Sequence, residues 1–169
     1  MHRISYNRGQ MSQREAIMLK NGKVLVPTDF SEASKEALNR AGELAEHYSA
    51  EVHLLHVMEP AVFFETDMIA ISPLNDITDA IRAGAKKRLL AQAESVDFNV
   101  TTHLLESMGE PAGIICEFAA SLPADLIVIG RQGVQGTFEH LLIGSTAERV
   151  VRHASCSVLV SMQHATKES

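Results

Sequence analysis

Residues able to do chemistry gather at two places in this chain of 169 residues. One is Pro27-Thr28-Asp29, followed by FSEAS. The other runs from Asp125 to Ser145, where the apolar run Leu126 to Ile129 gives way to Gly130, Gly133 and Gly136 and then to Gly144-Ser145. Glycine lets a backbone approach a ligand closely, and a helix N-terminus presents unpaired N–H groups and a positive dipole end to an anion. A strand, glycines and a helix start in that order suit a phosphate cradle, and they suit an ordinary strand-to-helix turn as well. Spacing narrows the chemistry. The GKS or GKT ending of a P-loop is missing, GxxGxxG is not the GxGxxG dinucleotide turn, and GxSxG is absent. Asp29 has the chemistry to orient a water, but as a helix cap, a role open to Ser31 too, it needs fewer assumptions.

Other reactive residue types form no constellation. His53 and His56 share one strand at odd spacing, so they point to opposite faces and cannot hold one ion; no metal site built by protein alone is expected. His153 falls near the end of a helix, where a cation suits the dipole. Cys116 and Cys156 lie far apart in apolar surroundings without a CxxC, which reads as buried thiols in a reducing compartment.

Around these residues the chain alternates strand and helix five times. Lys23–Val26, Val52–Val57, Val100–Leu105, Leu126–Ile129 and Val158–Val160 read as strands. Ala37, Leu38, Ala41, Leu44, Ala45 and Tyr48 give the first helix one apolar face. Ile77, Ile81, Ala85 and Leu89 mark the second helix, Glu110-Pro111 opens the third, and Ala147, Val150, Val151 and Ala154 define the fourth. This pattern predicts a doubly wound α/β domain with a parallel sheet and helices on both faces. Ligands of such sheets bind outside the strand C-termini where strand order reverses. If the first and fourth strands are neighbours there, Pro27-Thr28-Asp29 and the Gly130–Gly144 stretch flank one crevice.

The remaining segments frame this domain, read as residues 22–162. Residues 1–21 are polar and basic and are expected to be a loose arm, with a short helix over Ser12–Leu19 as the alternative; residues 163–169 are a fraying tail. Glu59–Asp76 is unusually apolar for a loop, and its Val62–Ile71 portion reads as a flap on the core edge or a lid. A net charge of −6 lacks the electrostatic footprint for nucleic acid or an anionic membrane. No apolar run approaches the roughly 18 residues of a membrane span, and no signal peptide is visible, so a cytoplasmic location is expected.

VLVPTDFSEAS, EVHLLHV, ADLIVIG, GxxG and GSTAERVVRHASCSVLV, in this order over Lys23–Met162, closely resemble the universal stress protein family. The resemblance implies a five-stranded Rossmann-like parallel sheet of order 3-2-1-4-5. It also implies binding of ATP, or of AMP or ADP, with magnesium carried by the phosphates, and a stress-response or regulatory role. Transferred by position, it puts Pro27, Thr28 and Asp29 beside ribose and adenine and the Val57 backbone on the base. Gly130 and Gly133 would wrap the phosphates, Gly144, Ser145 and Thr146 would donate to them, and Arg131 is a nearby cation. One departure stands out: ten residues, Val134 to Ile143, separate Gly133 from Gly144 where the family's ATP-binding pattern has nine.

The fifth strand should be a sheet edge, and Val158, Leu159 and Val160 leave it apolar and uncharged, so a homodimer through this strand is expected. The favoured reading is a non-enzymatic nucleotide-binding protein. Slow ATP hydrolysis using Asp29 and a nucleotide-free interaction protein of the same fold are the alternatives.

Overall fold

The computed structural model describes residues 19–58, 74–107, 110–132 and 143–162. The Val62–Ile71 segment, Gly133 and residues 134–142 of the lengthened spacing after it, the tail from residue 163 and the chain before residue 19 lie outside the described residues.

Among the described residues five strands, β1 (Lys23–Pro27), β2 (Glu51–Met58), β3 (Val100–Glu106), β4 (Leu126–Gly130) and β5 (Ser157–Ser161), alternate with four helices. These are α1 (Glu32–Tyr48), α2 (Leu74–Glu94), α3 (Pro111–Ser121) and α4 (Ser145–His153). The sheet runs β3-β2-β1-β4-β5 with every neighbouring pair parallel. The expected fold is therefore the observed one.

Period-two alternation sorts the side chains into two cores. Val24, Val26, Val52, Leu54 and Val128 pack with Ala37, Leu38 and Ala41 of α1 and Leu89 of α2. Leu25, Leu55, Ile127 and Ile129 point the other way, onto Ala112, Ile115 and Ala119 of α3 and Ala147 and Val150 of α4. Strands buried on both faces must be apolar at every position, and Val24, Leu25 and Val26 are each fully buried. The chain reverses direction across the sheet after β3, so the β1–β4 junction is the switch point. There Val24 pairs with Leu126 and Leu25 with Ile127.

The folded unit reaches back to Leu19. That side chain packs on the first core, and the Asn21 N–H donates to the Tyr48 carbonyl at 3.1 Å. Residues 19–21 are thus tied to the domain, at a position the sequence assigned to the arm. Among the described residues no helix is long and apolar enough to cross a membrane.

Candidate functional site

The C-terminal ends of β1, β2 and β4 open into a cleft of about 1390 Å³, larger than the roughly 300–1,000 Å³ usual for small-molecule sites. Pro27, Thr28 and Asp29 form one wall, and Gly130 and Arg131 face them with Gly144, Ser145 and Thr146 from the start of α4. The two motifs, a hundred residues apart, meet as the topology requires.

Backbone geometry gives the cleft its polar character. The Thr28 N–H donates to the Leu55 carbonyl at 2.8 Å, and Pro27 opposite Leu55 is the last pair of the β1–β2 register. Residues along a strand turn their N–H and C=O alternately to the two neighbours. Those of Val57, two residues on, therefore face the same side as Leu55, at a level β1 no longer reaches. At the other end of the cleft, Gly144 is the N-cap of α4 and makes no side-chain cap bond. The Ser145, Thr146 and Ala147 N–H groups that follow have no intrahelical acceptor.

Several residues expected to contact ligand are engaged otherwise. Thr28 is 6% exposed; its hydroxyl lies 2.8 Å from Gln92 Oε1 and 3.0 Å from Ser34 Oγ and accepts the Phe30 N–H at 3.0 Å. Thr28 shapes the wall rather than offering a hydroxyl. Asp29 Oδ1 accepts from the Ser31 N–H at 3.0 Å and from Ser31 Oγ at 2.6 Å, while Ser31 itself is the N-cap of α1 and accepts from the Ser34 N–H. The cap belongs to Ser31 and Asp29 braces it. The Gly144 N–H, expected to donate to phosphate, donates to the Arg131 carbonyl at 2.7 Å. The Arg131 N–H in turn donates to the Ser161 carbonyl at 2.9 Å, and its guanidinium reaches Met162 Sδ at 3.9 Å. Gly130 is required by packing: a Cβ there would stand 2.8 Å from the Ala33 carbonyl carbon and oxygen.

The structure adds residues the sequence did not single out for this site. His56 Nδ1 lies 2.8 Å from the Thr28 carbonyl oxygen, its ring is 4.3 Å from that of Phe30, and the Arg88 guanidinium sits 4.2 Å from the Phe30 ring centre. Phe30 holds a left-handed backbone, φ 67°, at the turn into α1. Burial pushes the His56 pKa down from its ordinary value, with Arg88 acting the same way against the Thr28 carbonyl and Asp29. Glu110 and Arg149 form an ion pair on the cleft wall between α3 and α4. His56 was legible as the last histidine before the β2 C-terminus, the end where ligands bind; Arg88 and Glu110 come from distant helices and carry no local signal.

His53 points to the opposite face, as its spacing from His56 requires, and its Nδ1 meets His103 Nε2 at 3.1 Å. Among the described residues no cluster of three or more His, Cys, Asp or Glu side chains could hold a metal. Cys116 and Cys156 are free and half-buried against the α3/α4 core, and Cys116 is close enough to Cys156 to raise its pKa. They are neighbours in space, which their separation in sequence hid.

The sequence model of the universal stress protein family matches residues 20–161. A universal stress protein of Methanocaldococcus jannaschii is 36% identical over 151 residues, covering 85% of this chain and 86% of that one. Among solved structures, the universal stress protein UspA from Lactobacillus plantarum has a TM-score of 0.65 at 29% identity, over 83% of this chain and 97% of that one. A universal stress protein crystallised in complex with cAMP has a TM-score of 0.54 at 25% identity, over 86% of this chain and 99% of that one.

Proposed function

We propose that this chain, which belongs to the universal stress protein family, is a regulatory protein that binds an adenine nucleotide, ATP in the first instance, in the cleft above β1 and β4. The observation that carries the reading is the pairing of two backbone features across one cleft. The N–H and C=O of Val57, turned to a level that β1 does not reach, match the donor–acceptor edge of adenine, and the first-turn N–H groups of α4 suit phosphate. A related protein of this fold was crystallised with cAMP, which supports an adenine ligand. The size of the cleft leaves room for a polyphosphate, whose oxygens would provide most ligands of a magnesium ion.

The engagement of Asp29 Oδ1 by Ser31 supports binding without turnover over slow hydrolysis. Signalling would pass through a dimer joined at β5. Its Val158 and Val160 pack into the α3/α4 core, and Leu159, 37% exposed, and Met162, 60% exposed, are its apolar surface. The two free thiols suit the cytoplasm.

Thermal denaturation with ATP, ADP, AMP and cAMP tests the reading, with mass analysis of small molecules released from the purified protein. A ligand specific to the native state adds about 2.7 kcal/mol at a hundred times its dissociation constant. No shift with any adenine nucleotide, and none released, would overturn it.

A further inference from the structure

His56 is a fixed acceptor at the rim of the cleft. A carbonyl oxygen can only accept, so the 2.8 Å contact with the Thr28 carbonyl puts the proton on Nδ1. The neutral ring then has its lone pair on Nε2, and no described residue donates to that atom. The ring lines the cleft, is half-buried, and is held by the Thr28 bond on one side and by Phe30 at 4.3 Å.

We propose that His56 Nε2 reads position 6 of the purine, accepting a hydrogen bond from the exocyclic amino group of adenine, and so makes the site selective for 6-amino over 6-oxo purines. This rests on the nucleotide reading above. The argument is one of counting donors. The Val57 edge offers one N–H, which suits adenine N1, and one C=O, which takes one amino hydrogen. The amino group carries a second hydrogen, and His56, the residue next to Val57, supplies the acceptor for it. A 6-oxo purine brings a lone pair where two acceptors already point, and a site built around a donor rejects an analogue that lacks it.

The groups facing the ring are the Thr28 carbonyl and Asp29 from the end of β1 and Arg88 from α2. Burial and Arg88 outweigh the other two and keep the imidazole neutral below its ordinary titration range. Protonation would turn Nε2 into a donor and reverse its preference.

The experiment is a calorimetric titration of the full chain with ATP and with ITP, which differ at position 6 and at the N1 proton. The wild type should prefer ATP by at least about tenfold, and His56→Phe, which keeps a ring against Phe30, should reduce that ratio by about tenfold. A second variant, His56→Gln, whose side-chain oxygen can still accept a hydrogen bond, should keep most of the ratio, a result that loss of packing alone would not give. Equal affinities in the wild type, a ratio unchanged in His56→Phe, or a ratio lost as fully in His56→Gln as in His56→Phe would overturn the inference while nucleotide binding stands. Absence of all nucleotide binding would instead remove the functional reading, and this inference with it.

Discussion

The backbone of Ala33 lies directly against Gly130, so close that a single added carbon would come within 2.8 Å of its carbonyl. The first turn of α1 thus rests on the last residue of β4. This contact fixes the separation between the two motifs that flank the cleft. Gly130→Ala must push the helix away, because the opposing atoms are backbone and cannot rotate aside. It should cost about 1–3 kcal/mol in urea denaturation and weaken nucleotide binding. A variant as stable as the wild type would show that α1 can shift freely.

Thr28→Val should be costlier than its near-equal volume suggests. The methyl removes the partner of the Phe30 N–H and of Gln92 Oε1 in a buried setting. A loss of about 2–3 kcal/mol is expected, with Thr28→Ser restoring most of it. Chemical denaturation of the three proteins measures both.

His103 gives the stability a pH dependence. Burial, and then the proximity of His53, lower its pKa below the ordinary 6.5. The unfolded chain therefore takes up a proton that the folded one resists, and stability must fall as pH drops below 6.5 toward the folded value. His56 acts in the same direction. Denaturation midpoints at several pH values should show a shallower decline in His103→Gln than in the wild type.

The β5 edge can be tested with one charge. Leu159→Lys leaves Val158 and Val160 in their core and places an ammonium on the free edge, a device that blocks edge pairing. The wild type should scatter light as a dimer at micromolar concentration and the variant as a monomer. A monomeric wild type would exclude the dimer.

Burial raises the pKa of both thiols. Glu117 adds to it at Cys116, and Cys116 and Asp125 add to it at Cys156. Thiolate is the reactive form, so a disulfide reagent at pH 7 should label the native protein more slowly than the urea-unfolded chain. Equal rates would contradict this.

The sheet was readable because strands covered on both faces are apolar at every position, as in the run Leu126–Ile129. The meeting of Pro27–Asp29 with Gly130 and Gly144 was readable from topology alone. What each residue does there was not. Thr28 looked like a ligand contact because it follows a strand, but Gln92, 64 residues away, claims its hydroxyl. Gly130 looked like a phosphate glycine, and only the packed structure reveals Ala33 against it. Gly144 was placed correctly at the start of α4, but its N–H is spent on Arg131. Such assignments depend on long-range partners, and no local pattern encodes them.

Arg131 occupies a position with mechanical consequences. Its carbonyl holds the N-cap of α4, and its N–H holds the last residue of β5. The backbone of one residue therefore ties the start of α4 to the last residue of β5. Tension applied at either end is felt at the other without any intervening side chain having to rearrange.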